Sequence, residues 1–345
     1  MHTDESGKRR DARRRLAHLE CYLANLRRAQ AHRAEIAAPS NPDELACAFS
    51  WAYSCLDSLR SEAQGSLRAR RRPRVGSQCR PATAHIFLDE CGSPRLVRSA
   101  DSIGCFSLTA IVVRDEVMMD LQEAWDGWKY EFYGTTKVKL RASDILRGRG
   151  AFWFDGDTLK RDRAATALGE VISKLDFKMA TVIVRREAYL ELFGHAGMDS
   201  TLPNDIYHMA LDFLCERLVM GLHLETDDRR GQLVAESRGP KEDALLQYEF
   251  ARLLLYGTSY VPDTWFRHQL LPGIKFETKD ARLAGLELAD ILGRSCVEKV
   301  MAPTVSPLWW REGSPKLFQS RETKNSPLGM KIVPWADEYD GLWVK

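Results

Sequence analysis

No Cys-x-x-Cys pair occurs in this chain of 345 residues, although it holds eight cysteines (Cys21, Cys47, Cys55, Cys79, Cys91, Cys105, Cys215 and Cys296). No His-x-x-x-His partner stands near any of them, which argues against a structural zinc site and for free thiols in a reducing compartment. Long apolar runs are missing too. The longest strongly apolar stretch, Phe106 to Val113, falls far short of a bilayer span. Met1-His2-Thr3-Asp4-Glu5 has no apolar core behind it, so no secretory signal is expected and a cytoplasmic location is the default. A Gly-x-x-x-x-Gly-Lys phosphate loop and a Gly-x-Ser-x-Gly elbow are absent, which sets aside two common routes to hydrolysis. Internal repeats and low-complexity tracts are lacking as well.

What is present is the composition of an ordinary soluble protein, with hydrophobic residues at 44% and charged residues at 28%. The net charge of +2 conceals an asymmetry. Residues 1–80 hold 16 Lys and Arg against 9 Asp and Glu, an excess of +7, and the rest of the chain is at −5. A basic arm of this kind suits nucleic acid or an acidic partner; a solvated helical face explains it equally well.

Residues 8–38 read as a helix with Leu16, Leu19, Leu23 and Leu26 as its stripe, and a second helix runs from Pro42 to about Leu67. Together they predict a helical hairpin able to pack on the main domain, on a protein partner or in a homodimer. Arg68 to Arg74 is a basic linker, with the domain boundary between Arg70 and Ala82. Strands are expected in the opening stretch Thr83 to Gly92, which ends on Asp89 and Glu90 and then turns, and at Ile103–Val113, Phe177–Arg185, Gly231–Glu236 and Ile274–Glu277. Helices are expected at Glu116–Tyr133, Asp157–Leu175, Asn204–Leu224, Lys241–Tyr256 and Ala281–Met301. Lys137 to Asp144 reads as a short strand or edge segment. Strands alternating with helices after an opening pair indicate an α/β domain with a mixed sheet over about 82–301. The tail, 302–345, carries five prolines with Trp309, Trp310, Trp335 and Trp343, and is expected to lie irregularly across the domain as packing.

The stretch that organises the rest is Ile86-Phe87-Leu88-Asp89-Glu90-Cys91-Gly92, a buried strand ending on two acids and a turn. Leu233-Val234-Ala235-Glu236-Ser237-Arg238-Gly239-Pro240 repeats that arrangement. A third acid pair, Glu287 and Asp290, lies three residues apart on a helix that is apolar on nearly every side. Ligands in α/β sheets collect at strand carboxyl ends, so these acids are candidates to converge there. Converging carboxylates repel, and a hard divalent ion, Mg²⁺ or Mn²⁺, relieves the repulsion and supports phosphodiester cleavage. The alternative is that each acid is separately solvated or paired, with Arg238, Lys241 or Lys279. Cys91 has no histidine placed to activate it, and His85, His195, His208 and His223 show no ligand spacing.

These segments resemble the family called domain of unknown function 3800, whose members are assigned a ribonuclease H-like fold. The resemblance rests on Phe87-Leu88-Asp89-Glu90-Cys91-Gly92, Leu140-Arg141-Ala142-Ser143-Asp144, and Val234-Ala235-Glu236-Ser237-Arg238-Gly239 with Glu242-Asp243 behind. Ile274-Lys275-Phe276 with Lys279, and Gly285-Leu286-Glu287-Leu288-Ala289-Asp290, complete it, in that order over about 82–301. Cys91 replaces the usual Ser, Arg141 stands where His is frequent, and Glu287 where Gln is common. The resemblance implies a metal site on Asp89, Glu236 and Asp290, with Glu90 and Glu287 as auxiliary acids and Lys279 as a phosphate contact. It implies a divalent-metal-dependent nuclease acting on DNA or RNA, and, by association with mobile and defence-related bacterial settings, a defence role. The rival expectation is a non-catalytic module that binds nucleic acid or a partner through the same fold.

Overall fold

Along the central strands successive side chains go to opposite faces, and here both faces are apolar. Phe87, Ile111, Met179, Ile183 and Val234 enter one core; Ile86, Leu88, Leu108, Val182 and Leu233 enter the other. A computed structural model describes residues 83–94, 104–193, 205–224, 230–258, 260–278, 280–319 and 328–334. The helical hairpin, the basic linker and Lys279 lie outside the described residues.

Strands β1 (Thr83–Cys91), β2 (Cys105–Arg114) and β3 (Lys178–Arg185) form an antiparallel meander. β4 (Arg230–Glu236) runs parallel to β1, and β5 (Leu270–Glu277) parallel to β4. A short β6 (Met330–Val333) joins parallel to β3, so the six-stranded mixed sheet has the order β5-β4-β1-β2-β3-β6. The helices are α1 (Met118–Tyr133), α2 (Ala142–Arg147), α3 (Thr158–Lys174), α4 (Arg186–Phe193), α5 (Asp205–Leu224), α6 (Pro240–Tyr256), α7 (Asp263–Gln269), α8 (Ala284–Met301) and the short α9 (Trp310–Gly313). α1, α2, α3 and α8 cover the first core, and α5, α6 and α7 the second. None of the described helices is long and apolar enough to cross a membrane.

α8 lies unusually close to the sheet, and two glycines permit it. A Cβ on Gly285 would stand 2.1 Å from Phe87 Cδ2, and one on Gly293 2.8 Å from Thr109 Oγ1. Neither distance is compatible with a side chain unless the helix retreats. Gly285→Ala is therefore expected to cost about 1–3 kcal/mol through overpacking. A thermal melt of the variant checks this; an unchanged midpoint would show that the contact is loose.

Two sequence expectations are corrected. Lys137 to Asp144 is not a strand: 137–141 is irregular and α2 begins at Ala142. Its main-chain N–H groups bond to carboxylates of α8 instead of to a sheet edge. The tail is not wholly irregular either, since β6 extends the sheet. Its packing role holds where it is described: Trp309 is buried and donates its indole N–H to Ala165 O at 2.9 Å.

A carboxylate cluster as candidate active site

In the parallel pair β1 and β4, Leu88 stands opposite Ala235. The next residues, Asp89 and Glu236, therefore sit side by side at the carboxyl ends of neighbouring strands. The pleat sets where they point. Asp89 shares its face with Phe87, and Glu236 shares its face with Val234, both in the core covered by α8. α8 packs on that face of β1 and brings in Asp290.

The electrostatics report the same convergence. Burial lifts the Asp89 carboxyl well above its ordinary 3.8, and the charges of Asp290, Glu90 and Glu236 add to the lift. One backbone N–H, that of Glu90, opposes it by donating to Asp89 Oδ1 at 2.8 Å. Asp290 is also raised, by burial first and by Glu236. Against that, its Oδ2 accepts the Ala142 N–H at 2.8 Å, and Arg141 and Lys139 draw it down. Thus Asp89, Glu236 and Asp290, carried by three different elements, act on one another through space.

Glu90 belongs to the opposite face. It follows the parity of Ile86 and Leu88, and its Oε2 lies 3.3 Å from an Arg238 nitrogen. The Arg238 guanidinium in turn sits 5.1 Å from the Tyr207 ring centroid on α5. The turn carrying Arg238 is fixed at the start of α6, where Asp243 accepts the Arg238 N–H at 2.8 Å and the Ser237 hydroxyl at 2.6 Å. Gly239 at φ 114° allows that turn. Glu236 has its own partner, Lys139 Nζ, at 2.6 Å. The reading in which acids are paired one by one thus describes Glu90 and Glu236, while burial outweighs the compensating contacts of Asp89 and Asp290 and leaves both raised. Among the described residues, no group of three or more His, Cys, Asp or Glu side chains forms a ready ion cage.

Glu287, expected as an auxiliary metal ligand, has a different place. Its Oε2 takes the Trp125 indole N–H at 2.6 Å and stands 2.7 Å from Lys129 Nζ, while Oε1 takes the Leu140 N–H at 3.1 Å. Both oxygens are thus engaged inside the first core, with Lys129 fully buried. Glu287 fastens α8 to α1 and to the loop before α2, so it is corrected here from ligand to anchor. One turn further along α8, Asp290 holds the same loop through Ala142. Burial pushes the Cys91 thiol up to about 12, which removes it as a nucleophile.

Lys139 and Lys129 were missed by sequence reasoning as partners of the acids, whereas Arg238, offered there as one, pairs with Glu90. Lys129 carries a faint signal: it falls on the apolar face of α1 beside Trp125, Trp128 and Phe132. Lys139 has none, because its approach to Glu236 depends on a loop held by long-range hydrogen bonds. A second ionic group, in which Arg252 bonds Asp212 at 2.6 and 2.7 Å and Glu249 at 2.8 Å, ties α5 to α6 in the opposite layer. Comparison with known proteins finds no family model, curated protein or solved structure that matches this chain.

Proposed function

We propose that this protein is a divalent-metal-dependent nuclease whose catalytic centre is the cluster of Asp89, Glu236 and Asp290. One observation supports the reading: Asp89 and Glu236 end the neighbouring parallel strands β1 and β4, Asp290 comes from α8, and burial together with the charges of these acids raises Asp89 and Asp290. Folding these acids together costs stability, and a site for a cation is the chemistry that turns that cost to use. The all-oxygen donor set fits Mg²⁺ or Mn²⁺. A six-stranded mixed sheet with helices on both faces is compatible with the ribonuclease H-like fold that the resemblance implies.

Asp89, Glu236 and Asp290 would hold the ion, and Glu236 would leave Lys139 to do so. When bound, such an ion supplies Lewis-acid stabilisation of a phosphoryl oxygen. The chain's own residues do the rest. The Ala142 N–H orients Asp290, and the Glu90 N–H orients Asp89. Lys139, once released, is placed to meet a phosphate oxygen near Glu236, and Arg141 lies close enough to act on the Asp290 charge. Arg238 pairs with Glu90 on the other face.

The test is cleavage of labelled single- and double-stranded oligonucleotides in Mn²⁺ and in EDTA, with wild type and Glu236→Gln. Metal-dependent cleavage that falls at least about 100-fold in the variant, the scale seen when a transition-state contact is lost, supports the reading. Cleavage that survives EDTA or the substitution would remove it.

A further inference from the structure

Between α2 and α3 the chain makes a short 3₁₀ segment, Gly150–Gly156, with an unusual design. Phe152 is buried, and Phe154 stacks on Tyr133 with ring centroids 5.1 Å apart and planes at 12°. Trp153, held between these two anchors, is 60% exposed. Phe154 and Asp155 both adopt left-handed backbone conformations, at φ 46° and 53°, in a region that non-glycine residues seldom occupy. An exposed tryptophan alone means little. Here both neighbours, Phe152 and Phe154, are anchored, and the left-handed backbone at Phe154 and Asp155 accompanies an indole left outside.

The surroundings are cationic. From Lys137 to Asp157 the chain carries Lys137, Lys139, Arg141, Arg147 and Arg149 against Asp144, Asp155 and Asp157, and Lys137, Arg141, Arg147 and Arg149 are exposed. The same segment leads directly to the acid cluster. The Ala142 N–H bonds Asp290, α2 runs from there to Arg147, and Arg149 returns its N–H to Asp144 O at 2.8 Å. Exposed basic side chains and an exposed aromatic ring thus follow one another along a segment tied to Asp290 at Ala142.

From this placement we infer that the surface of Arg141, Arg147, Arg149 and Trp153 carries a single strand of nucleic acid toward the carboxylate cluster. Trp153 stacks on a base, and the arginines meet successive phosphates. The inference rests on the nuclease reading and deepens it by giving the substrate's strandedness. Stacking needs a base face that is free, which a single strand offers and a continuous duplex does not. Phosphate contacts supply the affinity without reading sequence.

Fluorescence anisotropy on the full chain in EDTA tests it, with labelled oligo(dT) and oligo(U) of about 12 nucleotides, and a duplex of the same length, as probes. Trp153→Ala is expected to weaken single-strand binding about 5- to 150-fold, and Trp153→Phe to keep most of it. The two homopolymers then distinguish DNA from RNA. Arg147→Ala with Arg149→Ala should lower the slope of log affinity against log salt by about 1.4, two single-strand phosphate contacts. Photocrosslinking of 5-iodouracil-substituted strand should label the Gly150–Gly156 peptide. Wild-type affinity in Trp153→Ala, or crosslinks confined to residues 1–82, would overturn the inference. The two readings fail separately. Trp153-dependent binding without cleavage in Mn²⁺ leaves this surface standing and removes the nuclease; cleavage with Trp153-independent binding does the reverse.

Discussion

Glu287→Ala is expected to destabilise the protein by about 3–5 kcal/mol, the scale on which removing one partner of a buried ion pair acts. The substitution leaves Lys129 Nζ without its carboxylate partner at a fully buried position and strips the acceptor from the Trp125 indole and the Leu140 amide. Each loss is costly because a buried donor left without an acceptor has given up its hydration for nothing. Urea denaturation measures the change. Should the variant fail to fold at all, the pair Lys129→Met with Glu287→Leu keeps the idea open to test. Replacing both charges by apolar groups of similar length is expected to recover most of the loss, as buried ion pairs elsewhere allow. If Glu287→Ala melts like the wild type, the carboxylate is not the anchor described here. The double replacement has a further consequence, because the loop before α2 would lose the Leu140 bond and keep the Ala142 bond to Asp290 and the Lys139–Glu236 pair.

The second large effect runs in the opposite direction. Asp89→Asn is expected to raise the melting temperature of the metal-free protein at pH 8 by roughly 2–4 °C, the shift about 1 kcal/mol gives a somewhat smaller chain. It is also expected to abolish divalent-ion binding. Burial and the charges of Asp290, Glu90 and Glu236 hold the Asp89 proton well above the ordinary carboxylate range. Below that range the folded and unfolded chains both carry the proton, and the wild type has its full stability. As pH rises through the folded value the unfolded chain releases the proton first, so stability is lost. The amide has no such penalty. The gap between variant and wild type should therefore widen from about pH 4 upward and then level off. Melts across that range in EDTA give the result; a variant that is less stable at every pH would mean that Asp89 is held by favourable partners.

Much of this arrangement was legible in the sequence because it is written in local pattern. The apolar run before Asp89 and the one before Glu236 mark strands whose ends carry acids, and the pleat then dictates that Asp89 and Glu236 share a face. Glu90 shows the limit of that reading. Adjacent in sequence, it was grouped with Asp89, yet period-two geometry sends it to the other layer, to Arg238. Glu287 and Asp290 share a helix face, as spacing suggested, but spacing does not tell which of them meets an internal lysine. That depends on α1 crossing α8 at Trp125 and Lys129, a contact between residues far apart in the chain. The loop at 137–141 was misread for the same reason: its apolar and basic alternation imitates a strand, while its amides are spent on two α8 carboxylates. β6 was overlooked because four residues among prolines and tryptophans carry almost no periodic signal.

The measurement that bears most directly on the central claim is calorimetric titration of Mg²⁺ and Mn²⁺ into the wild type and into Asp89→Asn. Saturable binding by the wild type, lost in a variant that remains folded and melts higher, is the predicted result. Equal binding by both proteins would place any ion elsewhere. No binding by a folded wild type, with or without an oligonucleotide present, would contradict a metal centre at Asp89, Glu236 and Asp290.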